Sequence, residues 1–359
     1  MLLQHHVPAD DAAAALLPFV HRRRIADRVF RGALLFNAAL TLFWAGLYAT
    51  GRDTRFFGSV TFDVAAVGRV LGGVLFFYVL WGFVWYGVKA ALLKYVAGFS
   101  KEERREAFSS RMSAPYDLPG LLDRHSERRI RIIDMIGRRG RFVTLACAGF
   151  YYLYTRVATE QPDTFATAFL ADNLFDAVLT SWIFLSFYYG NNVLAAAFYG
   201  PQSRIMDGVL ARANCLLITT LWTAFKFVLV PIGAQLAVVF PREQFAVVFG
   251  LIWGSYIVTD ALAEIGGSIF GRQSIRVRGI GDVNRKSIGG TLTGFIGSLV
   301  FCIALVVGHG LPPVWLALAF ALAISNTLLE LYSPRGTDDF TMATANALLC
   351  WAFGALVLQ

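Results

Sequence analysis

The sequence predicts an all-α integral membrane protein, a polytopic helical bundle with about nine transmembrane helices and a cytoplasmic N-terminus. Hydrophobic residues make up 57% of the 359 residues and charged residues only 16%, which is too apolar for a soluble chain of this length. Several runs reach the roughly 20 apolar residues that cross about 30 Å of hydrocarbon as a helix. The start, MLLQHHVPADD, lacks a basic segment followed by an apolar core, so we expect no cleaved signal peptide.

Each predicted span is an apolar run that ends at charged residues or at a turn signal. GHGLPP at residues 308–313 divides one long uncharged stretch into two spans. The weakest run, 142–159, is short and contains Arg156, and the run around 213–239 is interrupted by Lys226. The predicted spans are 32–51, 68–90, 142–159, 174–199, 213–239, 245–267, 288–308, 313–331 and 341–358.

The basic residues predict the orientation, because Lys and Arg accumulate in cytoplasmic connections. With the N-terminus inside, 26 of the 32 Lys and Arg residues fall on the inner side and four on the outer side. We therefore expect the N-terminus inside and the C-terminus outside, in the cytoplasmic (inner) membrane. The chain divides into a cytoplasmic segment, 1–31, membrane helices with a basic insertion at 95–141, together 32–244, and a C-terminal region, 245–359, that carries the candidate chemistry.

The basic insertion has two interpretations. Ser100 and Glu103 form a plausible capping box that opens a helix. ERRIRIIDMIGRR places Ile132, Ile133 and Ile136 among arginines, as in an amphipathic helix that turns its bases toward anionic headgroups. An ordinary positive-inside loop explains the same residues. Neither interpretation requires contact with a substrate, and we expect the bases to face the membrane surface rather than nucleic acid.

The four cysteines predict neither a disulfide nor a metal site. They lie inside predicted spans and match no metal-ligand spacing, so we expect buried, small apolar side chains. They are Cys147, Cys215, Cys302 and Cys350.

Carboxylates inside apolar spans are the first functional signal. Asp260 and Glu264 lie four residues apart in a predicted span and so share one helix face. Ionisable groups in a membrane helix are costly and mark functional sites by default. Glu330 ends the eighth span, four residues after Asn326. A structural alternative is that Glu264 and Glu330 pair with basic residues of the neighbouring loops, such as Arg272 or Arg335.

A second acidic pair, Asp338 and Asp339, lies in the turn before the last span. Five carboxylates near one interface repel one another unless cations neutralise them. Mg²⁺ fits because it takes oxygen ligands, commonly one or two carboxylates together with substrate phosphates. We predict Asp260, Asp338 and Asp339 as its ligands.

The stretch NRKSIGG, residues 284–290, predicts the complementary phosphate-binding element. It is rich in glycine and precedes a helix, whose first N–H groups can face an anion. Arg285 and Lys286 add positive charge, and Ser287 adds a hydroxyl. It is not a P-loop, since no Gly precedes Lys-Ser and we expect no strand to lead into it.

Together these motifs resemble the family of phytol kinases, dolichol kinases and CTP-dependent diacylglycerol kinases, which is related to the phosphatidate cytidylyltransferases. The resemblance covers about 245–355. It implies CTP as phosphoryl donor, Mg²⁺ as cofactor and a lipid alcohol as acceptor, although the residues alone do not exclude ATP. The matching residues are Asp260, Ala263, Gly267, Phe270, Gly271, Lys286, Ser287, Gly290, Thr291, Glu330, Asp338 and Asp339.

The resulting hypothesis is a membrane kinase with its active site facing the cytoplasm. Glu264 or Glu330 would accept the hydroxyl proton of a polyprenol, a phytol-like alcohol or diacylglycerol. The nucleotide would contact Arg285 and Lys286, with Gly267, Gly271, Ser287, Gly290 and Thr291 completing the set. A cytidylyltransferase would use the same residues, and a homo-oligomer stays open. A transporter would better explain the charged and polar residues away from these motifs, which are Lys226, Asp172, Asn173 and Asp176.

Overall fold

The computed structural model describes residues 9–51, 67–68, 71–72, 76, 79–109, 123–159, 174–188, 193–202, 204–205, 210–278, 283–334 and 336–358. Before residue 240, the described residues form α1 (Ala9–Thr50), α2 (Trp81–Tyr95), α3 (Lys101–Ser109), α4 (Glu127–Thr159), α5 (Leu174–Tyr188), α6 (Val193–Gln202) and α7 (Leu210–Val239). After a short 3₁₀ turn, Arg242–Gln244, come α8 (Phe245–Phe249), a π-helical turn at Gly250–Gly254 and α9 (Ser255–Phe270). The chain continues with β1 (Ser274–Arg278), β2 (Val283–Ser287), α10 (Ile288–Gly308), α11 (Val314–Tyr332) and α12 (Asp338–Val357).

The predicted helical membrane class is confirmed at the level of length and composition. Within the described residues, five helical stretches are long and apolar enough to cross a membrane: His21–Thr50, Arg242–Phe270, Ile288–Gly308, Val314–Tyr332 and Asp338–Val357. They correspond to the first and the last four predicted spans. The second and fourth predicted spans fall partly outside the described residues, and the third and fifth lie in α4 and α7. A total of nine spans, and the direction of the N-terminus, stay predictions.

The core of the C-terminal region is a bundle of α8 to α12. Large side chains fill it, with Phe249, Tyr256, Trp315 and Leu322 each at most 1% exposed. The side chains at one face of α10 stay exposed, including Leu292, Ile296 and Val300. An apolar outer face of this kind suits contact with lipid tails, whereas a soluble bundle would cover it with polar groups.

Helices α9 and α10 approach most closely because glycines remove the side chains between them. A Cβ on Gly290 would lie 2.5 Å from the Ala263 carbonyl oxygen, and one on Gly266 would lie 1.8 Å from Thr293 Oγ1. Small residues at a helix interface allow such backbone contact in membranes. The close contact brings Asp260 of α9 alongside the start of α10.

A short antiparallel hairpin corrects the expectation of a structureless loop before α10. Strands β1 and β2 pair so that Ile275 is opposite Lys286 and Ser274 is opposite Ser287. Ile275, Val277 and Val283 supply the β-branched residues that favour strands. A strand therefore does lead into NRKSIGG, contrary to the sequence expectation, but it belongs to a two-stranded hairpin.

Helix α4 packs into the molecule more deeply than the amphipathic surface helix predicted for this segment. Of the three isoleucines named from the sequence, Ile133 is buried and Ile132 and Ile136 are partly buried, while Arg128 and Arg129 are exposed. The later bases, however, turn inward, since Arg139 and Arg141 are buried. This end of α4 contacts α8 and α9, so the basic insertion reaches the C-terminal bundle.

The sequence prediction of a capping box at Ser100 is confirmed. The Glu103 amide donates to Ser100 Oγ (3.1 Å), and the Ser100 amide donates to Glu103 Oε2 (2.8 Å). Arg124 Nε and His125 Nε2 lie 3.0 and 3.1 Å from Glu103 Oε1. The cap thereby ties α3 to the segment that leads into α4.

The cysteine prediction holds in part. All four cysteines are free, and Cys215, Cys302 and Cys350 are buried, but Cys147 is exposed. It lies on the part of α4 beyond the buried arginines.

Candidate active site

Asp260 and Glu264 lie one turn apart on the buried face of α9. Their side chains are only 12% and 11% exposed, which is unusual for carboxylates unless they are paired. The face they share points toward α4, because α9 packs on α4 as well as on α10. Both groups are therefore held in a protein interior, and their neighbours decide what each can do.

Three carboxylates from three helices converge next to this face. One oxygen each of Asp260, Glu330 and Asp338 lies within 4.8 Å of the others. Glu330 comes from the last turn of α11 and Asp338 from the first turn of α12. The structure therefore brings α9, α11 and the acidic turn together as predicted, and Glu330 is the third carboxylate of the group.

Asp339, the other predicted metal ligand, lies next to this group. Its Oδ1 atom is buried and has no hydrogen-bond partner among the described residues, as is also true of Glu330 Oε2. Unsatisfied buried oxygens are rare and costly. Glu330 Oε2 and Asp339 Oδ1 therefore both have unused acceptor capacity next to Asp338.

Lys286 provides the nearest positive charge to the three carboxylates. Its Nζ contacts Glu330 Oε1 directly and lies 3.7 Å from Asp338 Oδ2. Burial by itself would lower the pKa of Lys286, but the charges of Glu330 and Asp338 raise that pKa above its usual value. The ammonium group is thus held in its charged form at the acidic cluster.

Arginines that precede the C-terminal region enclose the α9 pair. Arg139 of α4 donates to both oxygens of Asp260, with Nη2 to Oδ1 at 2.8 Å, and its Nε contacts Glu264 Oε2. Arg138 also contacts Glu264, and Arg204 Nη2 lies 3.0 Å from Glu264 Oε1. Both oxygens of Glu264 are therefore taken by guanidinium groups.

These arginines are the contacts of the α9 pair that sequence reasoning missed. The structural alternative, pairing with loop arginines, holds in kind for Glu264, although its partners among the described residues lie in α4 and at Arg204 and do not include Arg272. Glu330 pairs with Lys286, and Arg335 lies outside the described residues. The insertion reaches the α9 carboxylates, a contact that neither interpretation of it included. One signal was available, a run of arginines that ends immediately before an apolar helix, but its partner lay more than a hundred residues away.

The start of α10 uses its own polar groups. Ser287 is the N-cap and accepts a hydrogen bond from the Gly290 amide (3.1 Å), while the Ile288 amide donates to the Gln273 carbonyl oxygen (3.2 Å). The Thr291 hydroxyl donates to the Ser287 carbonyl oxygen (3.0 Å). Two of the first three helix amides are therefore satisfied within the chain, which limits the predicted phosphate cradle.

The predicted binding glycines serve first in packing. A Cβ on Gly271 would lie 2.1 Å from the Gly267 carbonyl oxygen, and a Cβ on Gly267 would lie 3.0 Å from Ser287 Oγ. Gly290 faces Ala263 in the same contact. The glycines let the end of α9 lie against the Ser287 cap, which places Lys286 over the carboxylates.

A layer of buried amides lies deeper in the bundle than the carboxylates. Asn326 Nδ2 and Asn346 Nδ2 each donate to Ser255 Oγ at 3.0 Å. Asn346 also donates to the carbonyl oxygen of Ile252, 3.1 Å away in the π-helical turn. The layer joins the three helices that carry the carboxylates, so their relative positions are set by polar as well as apolar contacts.

Some predicted residues lie outside the described part of the structure. The backbone of Arg285 is in β2, but its side chain is outside the described residues, as are the side chains of Lys226 and Asp176. Arg335, Asp172 and Asn173 lie outside the described residues altogether.

Comparisons with known proteins give one partial similarity. The chain is 35% identical over 103 residues to a protein named phytol kinase from Synechocystis sp.. The match covers 28% of this chain and 40% of the relative. No protein-family model matches the chain, and no solved structure matches it.

Proposed function

We propose that the chain is a membrane-embedded kinase that transfers a phosphoryl group from CTP to a lipid alcohol, either an isoprenoid alcohol or diacylglycerol. The observation that carries the proposal is the meeting of three carboxylates from three helices within 4.8 Å, with a partly buried lysine in contact. The partial similarity to a phytol kinase points in the same direction. Phosphoryl transfer depends mainly on positioning and charge neutralisation, which such a cluster supplies.

The donor set fits Mg²⁺. All candidate ligands are carboxylate oxygens, three lie close enough to share an ion, and buried oxygens of Glu330 and Asp339 have unused acceptor capacity. Mg²⁺ needs only one or two carboxylates when phosphates complete its shell. Asp260 and Asp338 would hold it, with Asp339 as the further predicted ligand. When bound, the ion neutralises charge on the transferring phosphoryl group.

Glu330 is the better placed of the two proposed bases. Its Oε2 has no hydrogen-bond partner in the described structure, whereas both oxygens of Glu264 accept from arginines. In the reaction the alcohol oxygen bonds to the γ-phosphorus and the bond from phosphorus to the bridging oxygen of the nucleotide breaks. The alcohol proton passes to Glu330, and the nucleotide diphosphate leaves with the electron pair of the broken bond.

Lys286 lies where its ammonium group can turn from the carboxylates to the phosphate during this transfer. Its ammonium group neutralises Glu330 and Asp338 in the resting site, and a lysine on a flexible stem can turn to a phosphate oxygen. The hairpin holds Lys286 in contact with the cluster.

The position of the site along the helices suits a lipid alcohol. The carboxylates lie near the end of α11 and at the start of α12, which are the ends of apolar spans. A lipid alcohol places its hydroxyl at this level while its tail stays in the hydrocarbon. The exposed apolar face of α10 would contact that tail.

Two other functions use different chemistry. A cytidylyltransferase would direct a lipid phosphate at the α-phosphorus with the same residues, and its products would be a CDP-lipid and pyrophosphate. A transporter would use Lys226, whose side chain is outside the described residues, so no observation favours transport.

The test uses purified full-length protein with Mg²⁺, labelled CTP or ATP, and a panel of polyprenols, phytol-like alcohols and diacylglycerol. We expect a phosphorylated alcohol and CDP. Asp260→Asn should lower the rate about 10²- to 10³-fold, the range seen when one preorganised electrostatic contact is removed. An undiminished rate in this variant would exclude the proposed site. A CDP-lipid product would mean that the protein is a cytidylyltransferase and not a kinase.

A further inference from the structure

Lys286 faces the same carboxylates that a metal ion would share. Its Nζ contacts Glu330 Oε1 directly and lies 3.7 Å from Asp338 Oδ2. Oxygens of these two acids and of Asp260 lie within 4.8 Å of one another, so a cation shared by the three acids would lie close to the Lys286 ammonium group. Two cations at such a short distance repel each other strongly in a partly buried site. The ammonium group and the ion therefore compete for the cluster.

The carboxylates of the cluster have little contact with solvent. The side chains of Glu330 and Asp338 are 10% and 17% exposed, so water neutralises them poorly. A buried carboxylate that loses its cationic partner is strongly destabilising. We therefore expect an exchange at Glu330, in which one cation replaces another, rather than the departure of Lys286 alone.

Lys286 is easier to displace than Arg139, the other base in contact with the cluster. Arg139 donates to Asp260 and Glu264 from three nitrogen atoms, and its side chain is 8% exposed. The Lys286 side chain is 18% exposed, with its ammonium group on a flexible stem. Asp260 can thus keep its arginine while Lys286 moves.

We propose that Lys286 occupies the metal position of the cluster when no metal is bound, and that it turns from this position to a nucleotide phosphate when the ion enters. This inference rests on the proposed kinase function and adds an order of binding to it. Mg²⁺ takes phosphate oxygens to complete its shell, and the displaced ammonium group takes a phosphate oxygen as its new partner. The site therefore retains the ion together with the nucleotide and holds it weakly without one.

The experiment measures the binding of Mn²⁺ to the purified full-length protein without nucleotide, by electron paramagnetic resonance. Mn²⁺ suits the same carboxylate ligands as Mg²⁺. Lys286→Met removes the competing charge, and a competitor that fills the site in most molecules lowers the apparent affinity in proportion. The variant should therefore bind Mn²⁺ at least about tenfold more tightly than wild type. Adding Asp338→Asn to Lys286→Met should abolish this gain, which locates the ion at the cluster.

Arg276→Met is the matched control, because Arg276 is an exposed base on the neighbouring strand of the hairpin. It removes one positive charge from the same hairpin and leaves the contact between Lys286 and Glu330 in place. Its affinity for Mn²⁺ should stay near the wild-type value. An equal gain in Arg276→Met and Lys286→Met would reveal a long-range charge effect, and unchanged or weaker binding in Lys286→Met would show that the lysine does not compete. Either result overturns the proposal.

A second measurement follows Lys286 in the wild-type protein, so it stays available if thermal unfolding shows that Lys286→Met fails to fold. An amine-reactive acetylating reagent modifies the protein, and mass spectrometry gives the rate at each lysine. Acetylation of Lys286 should be faster with saturating Mn²⁺ than without it, because the ion displaces the ammonium group from its carboxylates. Lys101, an exposed lysine at the start of α3, is the internal reference. An unchanged rate at Lys286 would contradict the displacement.

Lipid phosphorylation on the same preparations distinguishes the two proposals. A lipid product from wild type, without a gain in Mn²⁺ affinity in Lys286→Met, would keep the kinase and remove the exchange. The gain in Lys286→Met, without a lipid product from wild type and any alcohol in the panel, would keep the exchange and remove the kinase.

Discussion

The acidic and basic sides of the site differ in where they come from. The acidic side is built within one continuous region, by α9, α11 and α12, whereas the basic side on α9 is supplied by α4 and Arg204, which come earlier in the chain. Asp260 belongs to both, since it lies in the carboxylate cluster and is bonded to Arg139. The comparison teaches that the carboxylates come from one region of the chain, whereas their bases come from two, because Lys286 belongs to the same region and the arginines precede it.

The largest expected effect tests the acidic side through its proposed base. Glu330→Gln removes the proposed proton acceptor, whose Oε2 has no hydrogen-bond partner within the described residues, and general-base catalysis contributes about 10²- to 10⁴-fold. We expect kcat to fall by that range and the acidic limb of the pH–rate profile to disappear. Steady-state kinetics across pH measure both changes.

Glu264→Gln is the control for this prediction. It should keep the acidic limb, because both oxygens of the Glu264 carboxylate accept from arginines. If the limb disappears with Glu264→Gln and survives in Glu330→Gln, the two roles are exchanged.

The next effect tests the connection between the two sides. Arg139→Gln leaves Asp260 and Glu264 buried without their shared partner, and breaking a buried ion pair from one side costs about 3–5 kcal/mol. We expect a large drop in thermal stability together with weak activity. Arg139→Lys should rescue little, since one ammonium cannot reproduce three N–H donors aimed at two carboxylates.

A variant of Arg128 supplies the baseline, because it is an exposed base on the same helix. Wild-type unfolding behaviour in Arg139→Gln would mean that α4 does not hold the α9 carboxylates.

A smaller effect concerns the packing that brings the acidic cluster under Lys286. In Gly290→Ala the new methyl group would meet the Ala263 carbonyl oxygen at 2.5 Å, so α9 and α10 must separate, at a cost of about 1–3 kcal/mol. Gly308→Ala, in the same helix, meets nothing within 4 Å and should be neutral. Thermal unfolding of both variants checks the difference, and equal stability would contradict the packing role.

The smallest expected effect concerns the N-terminal cap of α3, which belongs to neither side of the site. Ser100→Ala removes one half of the capping box, at about 1 kcal/mol. Burial would raise the pKa of Glu103, but the Ser100 amide, His125 and Arg124 lower it overall. Because the folded pKa is lowered, this stabilisation is present above the usual pKa of a glutamate and is lost as pH falls through the lowered value.

The hydrogen-exchange protection of the 101–109 amides, corrected for the intrinsic pH dependence of exchange, should therefore fall in acid for wild type and at neutral pH for Ser100→Ala. The site itself should respond to neither change. A simultaneous loss of lipid phosphorylation at neutral pH would show that α3 is coupled to the active site.

Local patterns were sufficient for much of the C-terminal region. The apolar runs predicted α10, α11 and α12 to within a few residues, because a span is specified by its own hydrophobicity. The four-residue spacing of Asp260 and Glu264 predicted their common face, because helix geometry is local. The hairpin was missed, since each of its two strands has only five residues, two of them basic, and such short strands carry a weak pattern.

By itself the sequence determined a helical membrane protein and the acidic residues of its site, because hydrophobicity and helical spacing are read from neighbouring positions. Only the tertiary structure decided which bases neutralise them. Arg139 and Asp260 are 121 positions apart, and no local rule pairs them. Their contact follows from the packing of α4 on α9, where the cost of burying a charge leaves each group stable only beside the other.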